Sequence, residues 1–212
     1  KLNITSYWKP EEKLQDKVVS DFNSAKQQLK GLMTTSVQYR MISDVPFGTF
    51  LSGGIDSSLV TAIAQSVSDK PVKTFSIGYK EASHNESEYA RQVSKHLGTQ
   101  HHEFIVDEKD AISLVDRILA AYDEPYADSS AMPTYRVCQM ARKKVTVALS
   151  GDGGDEVFAG YRRYNMHLHE DKVRNLLPLG LRKAIFAPLG KLYPKLDWAP
   201  KFLRAKTTFQ SM

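Results

Sequence analysis

Phe50-Leu51-Ser52-Gly53-Gly54-Ile55-Asp56-Ser57-Ser58-Leu59-Val60 joins a short apolar run to a glycine-rich corner and the first turn of an amphipathic helix. Gly53 and Gly54 carry no Cβ, so the backbone can turn sharply and bring its N–H groups close to an anion. A helix beginning near Ser57 adds N–H groups without intrahelical partners and the positive end of its dipole, about 0.3–1 kcal/mol per anionic group. Ser52, Ser57 and Ser58 supply hydroxyl donors. The lysine that a GxxxxGK[ST] phosphate loop needs is missing from this stretch, which makes it a nucleotide loop of another kind. A serine-capped helix after a tight turn would explain the glycines and serines but not Asp56 beside them. Fixing Ser, Gly, Gly, Asp and Ser at five positions has a chance frequency of about 10⁻⁶ per start position.

Outward from this corner, strand and helix patterns alternate. Residues 47–51 read as a buried strand running into the loop, and the helix after it reaches about residue 68. Upstream, residues 11–42 are mainly helical, with Leu29, Leu32, Met33, Val37 and Met41 at near-helical spacing and with Gly31 and Ser20-Asp21 as breaks. Downstream, 72–77 form a second strand closed by Gly78, and Asn85 with Glu88 caps a helix ending at Gly98. A third strand covers 101–106. Asp107 opens a helix that stops before Pro125, Asp123–Ser130 is a polar loop, and Pro133 suits the first turn of a helix to Arg142. The fourth strand is 144–149. Such alternation without hairpin signals means right-handed crossovers and an α/β fold, a doubly wound parallel sheet with helices on both faces. Strand order 3-2-1-4 puts the reversal between the first and fourth strands, where ligands of such sheets bind, and makes the loops after those strands face each other.

The loop after the fourth strand repeats the grammar of the first: Ser150-Gly151-Asp152-Gly153-Gly154-Asp155-Glu156-Val157-Phe158-Ala159-Gly160-Tyr161. Mg²⁺ takes hard oxygen ligands, commonly one or two carboxylates plus substrate phosphates. Asp56 and Asp155, one from each loop, could supply that pair. Asp152 is expected near the α-phosphate and the acceptor. Glu124 and Asp128 lie in a loop that reaches an acceptor in this kind of sheet, or else serve as plain turn residues.

Ser52-Gly53-Gly54-Ile55-Asp56-Ser57 resembles the pyrophosphate loop of the ATP pyrophosphatases, and the second loop is similar to that of the asparagine synthetase group and its β-lactam synthetase relatives. The resemblance spans about Tyr39 to Tyr164 and includes Phe75-Ser76-Ile77-Gly78, His96-Leu97-Gly98-Thr99 and Asp123-Glu124-Pro125. It implies an adenine nucleotide alpha hydrolase-like core at 44–164, after a helical lead-in at 1–43 and before a helical C-terminal part at 165–212. It further implies ATP and Mg²⁺ as cofactors, with adenine held by Leu51 and Ile77 and pyrophosphate by Ser52, Gly53, Gly54, Asp56, Ser57 and Ser58. Ser150 and Gly151 would meet the ribose and phosphate, and Asp152 would act catalytically on the acceptor side. The implied reaction joins aspartate and ATP to give β-aspartyl-AMP and PPi, followed by attack of ammonia. Many members of the group have glutamate where this chain has Asp152. A glutaminase domain with its own cysteine nucleophile is expected in the full-length chain, and a transition-state lysine is expected past Met212. The alternatives are an amidotransferase acting on another carboxylate, or a nucleotide-binding fragment inactive in isolation.

The formal charge of +5 gathers toward the end of the chain, in Arg162-Arg163, Arg182-Lys183, Lys195, Lys201, Arg204 and Lys206. Without interleaved aromatics it reads as a solvated face, not a nucleic-acid surface. Cys138, the lone cysteine, excludes a disulfide framework and reads as a buried structural thiol in a reducing compartment. With neither a signal peptide nor a membrane-length apolar run, a cytoplasmic protein with no membrane partner is expected. His101 and His102 fall on opposite faces of a strand and His167 and His169 are not helical neighbours, so neither pair reads as a metal site. Oligomeric state stays open, with a homodimer among the options.

Overall fold

Asp21 starts the first helix: its Oδ2 accepts a hydrogen bond from the Ser24 N–H at 2.7 Å, relieving one of the four unpartnered donors of helix α1 (Phe22–Met41). The protein is seen in a computed structural model that describes residues 3–9, 12, 21–79, 87–106, 108–124, 126, 128 and 130–194. The expected Asn85 cap, the Asp107 helix start, most of the helical pattern at 11–20 and everything past 194 lie outside them.

Strand β1 (Phe47–Phe50) leads to helix α2 (Ile55–Ser66), then β2 (Lys73–Tyr79), α3 (Ser87–Leu97), β3 (Gln100–Val106), α4 (Glu108–Ala121), α5 (Ala131–Arg142) and β4 (Val147–Leu149). All neighbouring strands pair in parallel, in the order β3-β2-β1-β4. The reversal lies between β1 and β4, as the alternation of elements requires. On one face, Met33, Val37 and Met41 of α1 pack with Val60, Ile63 and Ala64 of α2 against Phe47, Val72 and Leu149. On the other, Val137, Met140 and Ala141 of α5 cover Phe50, Phe75 and Val145. Gly48 makes room there: a Cβ on it would sit 2.8 Å from the Phe75 ring. Leu114 and Ile118 of α4 close onto Ala131 of α5. The sheet is covered on both sides.

The α2 and α3 side of the sheet also carries buried hydroxyls. Thr49 and Thr61, both fully buried, share a hydrogen bond of 2.9 Å. Thr74 bonds Nδ1 of His101 at 2.9 Å and Ser76 bonds Nε2 at 3.1 Å, while Thr99 links Thr74, at 3.2 Å, to Ser94 of α3, at 2.8 Å. His102 turns to the opposite face and stacks on Phe75, with ring centres 5.4 Å apart.

Several sequence expectations shift. Gly31 stays inside α1 instead of breaking it, and β2 continues through Gly78 to Tyr79. The fourth strand begins at Val147 because the N–H groups of Lys144 and Val145 return to the Ala141 carbonyl and finish α5. Cys138 is exposed, not buried, since α5 turns Val137, Met140 and Ala141 to the sheet and Cys138 away from it.

Residues 153–212 form a second compact unit, after the first at 1–152. It holds α6 (Gly154–Phe158), α7 (Arg162–Leu176) and α8 (Leu179–Leu192), the last with Pro188 inside it. Among the described residues, no helix is long and apolar enough to cross a membrane.

Candidate active site

Between β1 and α2 the chain folds on itself through its serines. Ser57 Oγ donates to the Gly54 carbonyl at 3.2 Å and accepts from the Ser52 N–H at 3.2 Å. Ser52 Oγ lies 2.9 Å from Ser57 Oγ and accepts from the Gly54 N–H at 3.2 Å. These hydroxyls, expected to point at a ligand, thus also fix the loop's shape. Gly54 caps α2 without a side-chain bond, and the first intrahelical bond runs from the Ser58 N–H to its carbonyl. The N–H groups of Ile55, Asp56 and Ser57 therefore have no acceptor within the helix. Ser58 Oγ is buried and unpartnered among the described residues, a donor in need of an acceptor.

Two glycines set what touches this corner. Gly53 has φ +88°, and a Cβ on it would lie 2.6 Å from Tyr89 Cβ and 2.7 Å from the Ala90 nitrogen, so the first turns of α3 wall the loop. Gly151, beyond β4, approaches from the other side: its Cβ would lie 2.7 Å from the Ser57 nitrogen and 3.0 Å from Asp56 Cβ. The loops after β1 and β4 meet backbone to backbone at the switch point. Beside Gly151, Ser150 Oγ donates to Asp152 Oδ2 at 2.9 Å, and Asp152 is exposed.

The remaining expected residues are spread more widely. Leu51 is buried and its N–H donates to the Phe75 carbonyl at 2.8 Å. Ile77 is half-buried on β2. Asp128 accepts from the Ser130 N–H at 2.7 Å, a turn bond that also lowers its pKa, and Glu124 is exposed. In the second unit, Asp155 lies in the first turn of α6, where a Cβ on Gly160 would collide with its Oδ1. That carboxylate lies in a space only glycine leaves. The Tyr161 hydroxyl donates to Glu156 at 2.8 Å and Arg163 stacks over the Tyr161 ring. His167 stands near Glu170 and Asp171, at 3.7 Å from each. Among the described residues no three His, Cys, Asp or Glu side chains form a metal cage. The wall over Gly53 and the ion pair behind it, from Arg91 Nε to Glu103 Oε2 at 2.8 Å, escaped the sequence reading, since nothing in residue spacing marks which helix leans on a loop.

Paired glycine loops at the reversal point of a doubly wound parallel sheet define the class of this protein. Residues 28–211 match the asparagine synthase family, and the chain belongs to it. It is 47% identical over 148 residues to the putative asparagine synthetase [glutamine-hydrolyzing] 2 of Methanocaldococcus jannaschii, covering 69% of this chain and 28% of that protein. It is 36% identical over 178 residues to asparagine synthetase [glutamine-hydrolyzing] 1 of Bacillus subtilis, covering 84% and 27%. Among solved structures, an NH3-dependent NAD synthetase from Campylobacter jejuni is similar at TM-score 0.44 and 14% identity, over 87% of this chain and 92% of that one. The chain spans between 27% and 28% of the length of these two curated relatives.

Proposed function

We propose that this chain is the ATP-binding part of an amide-forming synthetase that adenylylates the side-chain carboxylate of aspartate, releases PPi and lets ammonia complete asparagine. The observation that carries the reading is the contact of Gly151 with the Asp56–Ser57 backbone, which brings two glycine loops together where an α/β sheet binds its ligand. Family membership supports the reaction type, and the names of the curated relatives support a glutaminase domain elsewhere in the whole protein.

In this scheme the N–H groups of Ile55, Asp56 and Ser57 receive the β- and γ-phosphates at the positive end of α2. Ser58, whose Oγ is buried and unpartnered among the described residues, is assigned to the same phosphates. Gly53 leaves room for Tyr89 and Ala90 of α3, and Gly151 for the Asp56–Ser57 backbone, so both segments close on the loop. Leu51 and Ile77 border the adenine, and Ser150 and Gly151 the ribose and α-phosphate. Asp152, held by Ser150, orients the acceptor. The carboxylates we assign to Mg²⁺ are Asp56, half-buried on the first turn of α2, and Asp155, on the first turn of α6. One or two carboxylates with substrate phosphates are the usual setting for that ion, which would draw negative charge off the departing pyrophosphate. An amidotransferase acting on a different carboxylate uses the same loops and differs only in the acceptor.

ATP–pyrophosphate exchange by the whole protein, run with a panel of carboxylates, tests this. Aspartate-dependent exchange is expected. Asp56→Ala and Asp155→Ala should each lower it by two decades or more, about 1.36 kcal/mol per decade. Wild-type rates in both variants would remove the metal pair, and exchange indifferent to aspartate would reassign the acceptor.

A further inference from the structure

The wall over the phosphate loop is itself held in place by charge. Tyr89 and Ala90 of α3 sit so close to Gly53 that no side chain fits between them. Two positions along α3, Arg91 reaches down to β3: its Nε donates to Glu103 Oε2 at 2.8 Å and its Nη2 to Glu103 Oε1 at 3.4 Å. Its Nη2 also donates to Ser87 Oγ, at 3.2 Å, on the opening turn of α3. Glu103 is mostly buried, at 17% side-chain exposure, whereas Arg91 keeps 49%. Gly78 on β2 leaves space for the carboxylate, since a Cβ there would come to 3.0 Å from Glu103 Oε1 and Ser87 Oγ. Near the far end of the helix, the Ser94 and Thr99 hydroxyls share a hydrogen bond of 2.8 Å.

We propose that Arg91 and Glu103 are positioning residues for the phosphate loop. Their two-pronged pair clips the beginning of α3 to β3 and so presses Tyr89 and Ala90 against Gly53, fixing the loop in the shape that receives pyrophosphate. The proposal rests on the reading of Ser52–Ser58 as the pyrophosphate site. A bidentate arginine–carboxylate pair suits the task because its planar fork fixes angle as well as distance. The effect is local: the clip acts on the part of the loop that meets β- and γ-phosphates and leaves the base and ribose side alone.

Calorimetric titration of the protein with Mg-ATP, pyrophosphate and AMP, for wild type, Arg91→Met, Arg91→Lys, Glu103→Gln and Ser57→Ala, tests this. Arg91→Met and Glu103→Gln should each weaken ATP and pyrophosphate about 10-fold, below the roughly 10²-fold that a 1 Å misplacement costs a reacting geometry. AMP should bind as in wild type. Arg91→Lys should regain part of the loss, and Arg91→Met/Glu103→Gln should be no worse than Arg91→Met alone, because the clip is already gone in that variant. Glu103→Gln preserves shape and serves where Arg91→Met does not fold. Equal weakening of AMP and ATP would overturn the proposal by showing general loosening. Unchanged ATP affinity in both variants, with Ser57→Ala still weakened, would refute the clip and leave the loop assignment standing. No pyrophosphate binding by wild type, or none lost in Ser57→Ala, would bring down the loop assignment and the clip together.

Discussion

Gly151→Ala puts a methyl group into the seam between the two loops. The new Cβ would stand 2.7 Å from the Ser57 nitrogen and 2.8 Å from the Asp56 carbonyl carbon, against an ordinary contact of at least 3.4 Å. The seam must therefore open by about 0.7 Å, and what has to move is the backbone of the first turn of α2, which cannot rotate away as a side chain would. Forcing an extra methyl into a packed site costs about 1–3 kcal/mol. The functional loss should be larger than that figure suggests, because the displaced N–H groups are those assigned to phosphate. Scaling from about 10²-fold per ångström of misplacement gives a ten- to hundredfold weaker affinity for Mg-ATP. Calorimetry measures the affinity and urea unfolding the stability. Gly31→Ala is the control: it adds a methyl to the middle of α1 with nothing within 4 Å among the described residues, and should leave binding alone while stabilising by about 0.5–1 kcal/mol. An affinity in Gly151→Ala within twofold of wild type would refute the convergence of the loops on the nucleotide.

Thr49→Val and Thr61→Val should each destabilise by about 1–3 kcal/mol, because either leaves one fully buried hydroxyl without a partner. The double variant should be milder than the sum, which urea midpoints for the four proteins would report; strict additivity would deny the bond. His101 also carries a pH dependence. Burial holds its pKa below the ordinary imidazole value of 6.5, opposed by Glu103 and assisted by His102 and Arg91. Below about pH 6.5 the unfolded chain binds a proton that the folded imidazole resists, so this contribution to stability is complete above that pH and is lost on acidification. His102 is shifted the same way, by burial and by Lys144 and Lys73. Unfolding midpoints between pH 8 and pH 5 should therefore fall less steeply in His101→Gln without becoming flat, and an unchanged slope would contradict this account.

The sheet was legible because parallel strands buried on both faces must be apolar and must be joined by helices. Phe47–Phe50, and Phe75 and Ile77 within Lys73–Tyr79, met those demands, and the two glycine corners marked which strand ends meet. Element ends were less legible. Whether Lys144 and Val145 extend a strand or finish a helix depends on which carbonyl their N–H groups find, and residue type does not decide that. The apolar neighbours of Cys138 suggested burial, yet helical geometry turns each residue by about 100°, enough to carry it off the packed face. Tyr89 over Gly53 and Arg91 on Glu103 join segments far apart along the chain, and no local rule connects them.

The hydroxyl ladder under α3 has a direction. Neutral imidazole donates from one nitrogen and accepts at the other. If Nε2 of His101 carries the hydrogen, it donates to Ser76 while Thr74 donates to Nδ1, Thr99 to Thr74 and Ser94 to Thr99. Moving that hydrogen to Nδ1 reverses both His101 bonds and frees Thr74 to donate to Thr99 and Thr99 to Ser94, with no heavy atom displaced. A single tautomeric choice at His101 therefore orients four side-chain dipoles lying between the middle of the sheet and the helix that walls the phosphate loop.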